Sequence, residues 1–181
     1  GNTSGDIILG GDITTSGGTS TSGAGTNAGY VTIEARNTGV ITINTGADII
    51  AKGSNANSGN GGTGGAVTLN TNATNITLHD TNIETDGGTA TSGSTAGAGG
   101  TITISDPLRI GTNTVTLQTG ASSSNTDNAG KVVIEGTIDS VASTTKQLDI
   151  ISGGGAVDLG GVIGGVDALS ALNINASGGA G

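Results

Sequence analysis

The sequence predicts an all-β parallel solenoid, a β-helix of roughly five coils with about 35 residues each and long Gly/Ser/Thr-rich loops. Three observations predict it. Short apolar–x–apolar triplets recur at a nearly fixed spacing, long polar arcs separate them, and the composition supplies strand formers but almost no ring for a compact core. The chain has 181 residues, of which 37 are Gly and only one is aromatic, with no Cys, Met, Trp or Phe. Aromatic side chains bury about 150–250 Å² each in ordinary cores. Without them the interior must be many small β-branched contacts spread along a length.

The first series of triplets is Val31-Thr32-Ile33, Val67-Thr68-Leu69 and Ile102-Thr103-Ile104, continued by Val132-Val133-Ile134. The second is read as Ile7-Ile8-Leu9, Ile41-Thr42-Ile43, Ile76-Thr77-Leu78, Val115-Thr116-Leu117 and Leu148-Asp149-Ile150. A third, shorter element carries Ile13, Ile49 and Ile83, each just after Asp12, Asp48 or Asn82. Alternation of apolar and polar residues is strand periodicity, with two apolar residues turned inward. Gly, Asn, Asp and Thr between triplets supply corners. No stretch has a 3.6-residue apolar period, so no substantial helix is expected.

A three-residue strand is too short for a stable hairpin sheet. It becomes stable when its counterpart one repeat later stacks on it about 4.8 Å away. The expected core is therefore Val31, Ile33, Val67, Leu69, Ile102 and Ile104 in one column set, and Ile41, Ile43, Ile76, Leu78, Val115 and Leu117 in another. Between the third element and the next first element run the arcs Thr14 to Gly29, Gly53 to Gly65 and Gly87 to Gly100. Either each arc is a loop leaving one side of a single coil, or it is a weak second coil. Disorder, which so much Gly, Ser and Thr would otherwise suggest, is opposed by the ordered triplets. Collagen is excluded by a single Pro and no period of three.

The formal charge is −9, from 14 acidic and 5 basic residues. Arg36, Lys52, Arg109, Lys131 and Lys146 are too few and too scattered to displace counterions from nucleic acid, or to grip an anionic membrane. No apolar run is long enough to insert as a spanning helix. The absence of Cys removes disulfides and thiolate chemistry. No signal segment is read, and the chain starts and stops in Gly/Ser-rich sequence, which suggests a mature product or an excised segment.

The last part of the chain is more specific. It reads Gly154-Gly155-Ala156-Val157-Asp158-Leu159-Gly160-Gly161-Val162-Ile163-Gly164-Gly165, then Leu169-Ser170-Ala171-Leu172-Asn173-Ile174. This run resembles a repeat in very large secreted bacterial exoproteins related to filamentous haemagglutinin, and the upstream triplet pattern is similar to the same group. The resemblance implies a right-handed parallel β-helix, export, surface display, and a role in adhesion or matrix. It carries no catalytic residues or cofactor. The function expected on these grounds is a non-enzymatic structural element of an extracellular filament, sheath or adhesin stalk, with self as partner. The alternative is a monomeric module that binds glycans or a cell-surface receptor through its loops. Residues 1–181 read as one solenoid segment. If Leu172-Asn173-Ile174 is a first-series strand, the end of the chain is in phase with its start, as in a tandem array or an end-to-end filament.

Candidate sites are few. His79, the sole His, is read as an outward, solvated strand residue rather than a general base. Asp12, Asp48 and Asn82 occupy equivalent corners and are read as Asx turns, not a catalytic acid cluster. Calcium is the best ligand candidate, with Asp80, Glu84 and Asp86 in one run and Asp127 beside Asn125 and Asn128, although neither the nonapeptide calcium repeat nor an EF-hand loop is present. Solvated loop acids are the simpler reading. Tyr30 reads as a packed or shielding ring rather than a sugar platform. The outward Thr columns, Thr32-Thr68-Thr103 and Thr42-Thr77-Thr116, suggest ordinary strand propensity more than ice binding.

Overall fold

The computed structural model describes residues 5–72, 74–120, 130–141 and 146–176. The chain winds as a three-sided parallel β-solenoid. The first coil holds β1 (Ile7–Leu9), β2 (Ile13–Thr14) and β3 (Val31–Glu34). The second holds β4 (Ile41–Ile43), β5 (Ile49–Ile50) and β6 (Val67–Asn70), and the third β7 (Ile76–His79), β8 (Asn82–Glu84) and β9 (Ile102–Ile104). Next come β10 (Leu108–Thr112), β11 (Thr114–Gln118) and β12 (Val132–Ile134), then β13 (Ile138–Ser140), β14 (Gln147–Ile151) and β15 (Val157–Leu159). A partial last coil ends in β16 (Ala171–Asn175). No helix occurs among the described residues.

Like strands stack into three parallel sheets. Sheet A has the order β1-β4-β7-β10-β13, sheet B β2-β5-β8-β11-β14-β16, and sheet C β3-β6-β9-β12-β15. Five layers in sheet A make four full turns from first to last, and Ile163 adds one parallel bridge to Ile138 beyond them. The register keeps apolar residues in columns: Val31, Val67, Ile102, Val132 and Val157 lie on one another in sheet C. All twelve expected core residues are buried, and ten of them have no exposed surface. Val31 and Ile33, in the first layer, keep 7% and 8%. Burying an aliphatic side chain of this size contributes about 1.5–3 kcal/mol, so the axis of the rod carries the stability.

Two strands differ from the sequence expectation. Val115-Thr116-Leu117 and Leu148-Asp149-Ile150 lie in sheet B, on Ile83 and on each other, and so continue the third series rather than the second. The sheet A positions of those coils are filled by Leu108-Arg109-Ile110 and Ile138-Asp139-Ser140. The corner before sheet A shortens here. β6 and β7 are separated by Thr71 to Asn75, but β9 and β10 only by Ser105, Asp106 and Pro107. The outward residue is Arg109 or Asp139 instead of Thr, which hid the triplet. Leu172-Asn173-Ile174 is likewise a sheet B strand, paired with β14, not a first-series strand of sheet C. The described residues therefore run from a sheet A strand, β1, to a sheet B strand, β16.

Each period is one coil, and the three arcs from Thr14 to Gly29, Gly53 to Gly65 and Gly87 to Gly100 are neither free loops nor second coils. The arc runs out from sheet B and returns to sheet C as two arms, which stack on the arms above and below. Gly17 N–H donates to Lys52 O (2.8 Å), Gly53 N–H to Asp86 O (2.9 Å), and Gly64 N–H to Ala98 O (2.8 Å). Crosswise bonds tie opposite arms: Ser54 N–H to Thr26 O (3.0 Å), Gly62 N–H to Ser54 O (2.9 Å), Gly88 N–H to Gly62 O (2.8 Å) and Gly97 N–H to Gly88 O (2.9 Å). The result is a fin of backbone packed against backbone. Glycine is required for space. A Cβ at Gly62 would fall 1.9 Å from Thr26 O, and one at Gly97 1.7 Å from Gly62 O.

Candidate functional site

The surface features that could serve a function sit on this frame, and each has a local cause. At corners, where the strand ladder is interrupted, Asx side chains replace it. Asp12 Oδ1 accepts the N–H of Asp48 (3.0 Å), and Asp48 Oδ1 accepts that of Asn82 (2.8 Å). Asp6 does the same for Val40 (3.0 Å), Asn27 for Thr63 (2.9 Å), Asn55 for Thr89 (2.9 Å) and Asn60 for Thr95 (3.0 Å). The expected Asx turns within one coil are thus corrected to links between successive coils. An acceptor at a fixed position in one coil satisfies the backbone donor at the same position in the next.

The base of each fin is closed by a second repeated device. Thr15 Oγ1 donates to Gly29 O, Thr85 Oγ1 to Gly100 O and Thr119 Oγ1 to Gly130 O, all at 2.8 Å. The same Gly N–H groups donate back to the Thr carbonyls, at 2.8, 2.7 and 3.1 Å. Ala51 occupies the column in the second coil and keeps only the backbone half of the staple, Gly65 N–H to Ala51 O at 2.8 Å. Thr85 and Thr119 are fully buried. The recurrence of Thr at this position in three coils (Thr15, Thr85 and Thr119) was present in the sequence. It was missed because a polar residue next to Gly reads as loop.

The calcium candidates do not converge. Asp80 is at a corner with φ 46° and accepts from Asn113 Nδ2 (3.3 Å). Glu84 and Asp86 share the ammonium of Lys52, at 2.9 and 3.4 Å. Asp86 is 2% exposed and also accepts from Gln118 Nε2, while its Oδ1 is buried without a partner. Burial pushes the Asp86 carboxyl above its ordinary pKa, against the Gln118 and Lys52 contacts that favour its charged form. Burial pulls Lys52 down, but Glu84 and Asp86 outweigh it and the ammonium is held above its usual value. The cluster is a charge clamp between two coils. Among the described residues no group of three His, Asp or Glu is arranged to hold a metal. Asp127, Asn125 and Asn128 lie outside the described residues.

His79 is half-buried, not freely solvated. Register slips between Ile110 and Thr112, and Gly111 in the bulge leaves room for the imidazole, where a Cβ would come 2.2 Å from Nδ1. Burial, then the nearby Lys146 charge, pushes its pKa below the usual value. Lys146 Nζ donates to Gly111 O beside it. Tyr30 departs from the packed ring expected, at 78% exposed. It precedes inward Val31 and so points outward, on the surface next to the position of Ala66, which offers little to cover it. Shallow grooves are present among the described residues. One of about 380 Å³ lies at the tips of the first two arcs, between Gly17, Thr19 and Ser20 on one and Ser54, Asn55, Ala56 and Asn57 on the other.

No family model, curated protein or solved structure matches this chain. What it can do must therefore be read from its own architecture: a rod with apolar columns inside, acidic and hydroxyl-rich faces outside, and a backbone fin along one edge.

Proposed function

We propose that the chain is a structural, non-enzymatic rod, an element of an extracellular filament, sheath or adhesin stalk. The observation that carries this reading is the unbroken axial pairing. Three sheets, the Asx links and the fin all bond along one direction, so a pull along the axis is shared among many hydrogen bonds at every layer. Ile7, Leu9, Ile13, Val157, Leu159 and Leu172 in the outer described layers are partly buried and packed against the same apolar core. The acidic exterior keeps such a rod soluble. The resemblance of the Gly-Gly-x-Val run to exoprotein repeats supports the same reading.

Electron microscopy of the purified chain tests it. Fibres whose width matches one solenoid are expected at high protein concentration. Discrete particles at all concentrations contradict it. They would favour the second reading, a glycan- or receptor-binding module, for which the polar groove at the arc tips is the specific observation. Direct binding of oligosaccharides, lost when Asn55 and Asn57 are changed to Ala, would establish that reading.

A further inference from the structure

A cavity of about 230 Å³ opens beside the corner where the chain passes from sheet C to sheet A. It is lined by Asn75, Pro107, Arg109, Thr137, Asp139 and Val166. Three of these form one column. Ile76 N–H donates to Pro107 O (2.9 Å) and Leu108 N–H to Thr137 O (2.8 Å), so Asn75, Pro107 and Thr137 precede the sheet A strands of successive coils. Arg109 and Asp139 stand on the outward side of β10 and β13, paired in register. The remaining wall is the turn after Ile163. Its Val166 N–H donates to Asp139 Oδ1 (2.9 Å), and Asp167 O accepts the Ser140 N–H (2.9 Å), which straps the turn over the sheet. Val166 is left 83% exposed at the rim.

We infer that this cavity binds one neutral sugar ring, the end or a branch of a glycan, through a pair of adjacent hydroxyls. The site goes beyond the rod reading and does not depend on it. The charges choose the ligand. Arg109 is held loosely: its Nη2 lies 3.7 Å from Asp167 Oδ2 and 3.5 Å from Ser140 O, and its Nε is buried without a partner. Lys52 and Arg36, by contrast, hold Glu84 and Glu34 at 2.9 and 3.2 Å. Charge-assisted bonds normally close to about 2.7–2.9 Å. The guanidinium, with N–H donors on both Nη groups, therefore has donors to spare. Asp139 and Asp167 stand beside it. An anion such as phosphate would meet those two carboxylates, and a lone amine would meet the guanidinium. A neutral diol suits both: one hydroxyl accepts from Arg109 and its neighbour donates to Asp139, since a hydroxyl does either. Asn75 and Thr137 add further donors and acceptors, and the aliphatic surfaces of Pro107 and Val166 take the C–H face of the ring. A zwitterion also matches both charges, but it gives up the hydration of two ions where a sugar gives up none. A few convergent polar groups on an apolar wall are the usual make-up of a small-molecule site.

NMR titration of the full 15N-labelled chain with neutral methyl hexopyranosides, in their gluco, galacto and manno forms, tests the site. At least one should move the amide signals of Arg109, Thr137 and Val166, with a Kd of about 1–10 mM, ordinary for a ligand of about 13 non-hydrogen atoms. Arg109→Lys and Asp139→Asn should each weaken that binding about tenfold or more, the loss expected for one hydrogen bond to a charged group. Asn55→Ala with Asn57→Ala, in the separate groove at the arc tips, should leave it unchanged. The shift map comes from the unmodified chain, so it decides the matter even where a variant fails to fold. No movement of those amides with any of the three sugars would overturn the inference. So would tighter binding of inorganic phosphate or of free glycine than of every sugar, or loss of sugar binding in the Asn55 and Asn57 variant alone, which would move the site to the arc tips.

Discussion

Leu69→Ala tests the apolar columns most sharply. Leu69 is fully buried in β6, between Ile33 below and Ile104 above. Ile104 lies in β9, which is paired on both sides, and Ile33 in β3, which is paired to β6, so the site has little freedom to collapse onto the space left behind. A rigid site of this kind places the cost toward the upper part of the range of about 2.7–5 kcal/mol for Leu→Ala. Thr68→Ala, one residue away but outward, should cost about 0.5 kcal/mol or less. With one Tyr and no Trp, far-UV circular dichroism in urea is the suitable assay. For a slope of about 2 kcal/mol/M the Leu69 variant should shift the midpoint down by roughly 2–2.5 M. A shift no larger than that of Thr68→Ala would refute the assigned facing of β6.

Four further outcomes follow from the same physics. In the fin, Gly62→Ala should cost at or beyond the top of the roughly 1–3 kcal/mol range for overpacking, because its Cβ would meet the Thr26 carbonyl, whereas Gly18→Ala, with nothing within 4 Å, should be neutral or slightly stabilising in the same urea assay. Ala51→Thr should complete the one staple that lacks its hydroxyl and raise stability by about 0.5–1.5 kcal/mol, read as an upward shift in thermal midpoint. Raised burial of the Asp86 carboxyl means the folded state holds its proton above the ordinary 3.8, so its contribution to stability falls as pH rises through that window. Asp86→Asn should flatten that part of the stability profile between about pH 3 and the raised value. His79 is shifted the other way, so acidification below its usual 6.5 should weaken the fold, and His79→Gln should remove that dependence.

The columns were legible because a triplet such as Val67-Thr68-Leu69 carries both its periodicity and its spacing in residue type. Legibility failed where the outward residue changed. Leu108-Arg109-Ile110 and Ile138-Asp139-Ser140 are the same strand as Ile76-Thr77-Leu78, but a charged centre and a shortened corner disguised them, and Val115-Thr116-Leu117 was placed one sheet away as a result. The arcs failed for a different reason. Gly, Ser and Asn signal freedom locally, and only the spacing of Gly62, Gly88 and Gly97 across coils turns that freedom into close backbone packing. Asp12 and Asp48 were correctly seen as equivalent, but sequence gives no direction to a side chain, so a link between coils read as a turn within one. The Lys52, Glu84 and Asp86 clamp joins residues from successive coils, and Lys52 had no motif to connect it to the acids.

Distances between spin labels along one outward column measure the stacking itself. Thr32, Thr68, Thr103, Val133 and Asp158 occupy successive layers of sheet C. Labels at Thr32 and Val133 should lie about 14 Å apart and labels at Thr32 and Asp158 about 19 Å, an increment of about 4.8 Å for one added layer. Separations that do not grow by one strand spacing per repeat would contradict the solenoid.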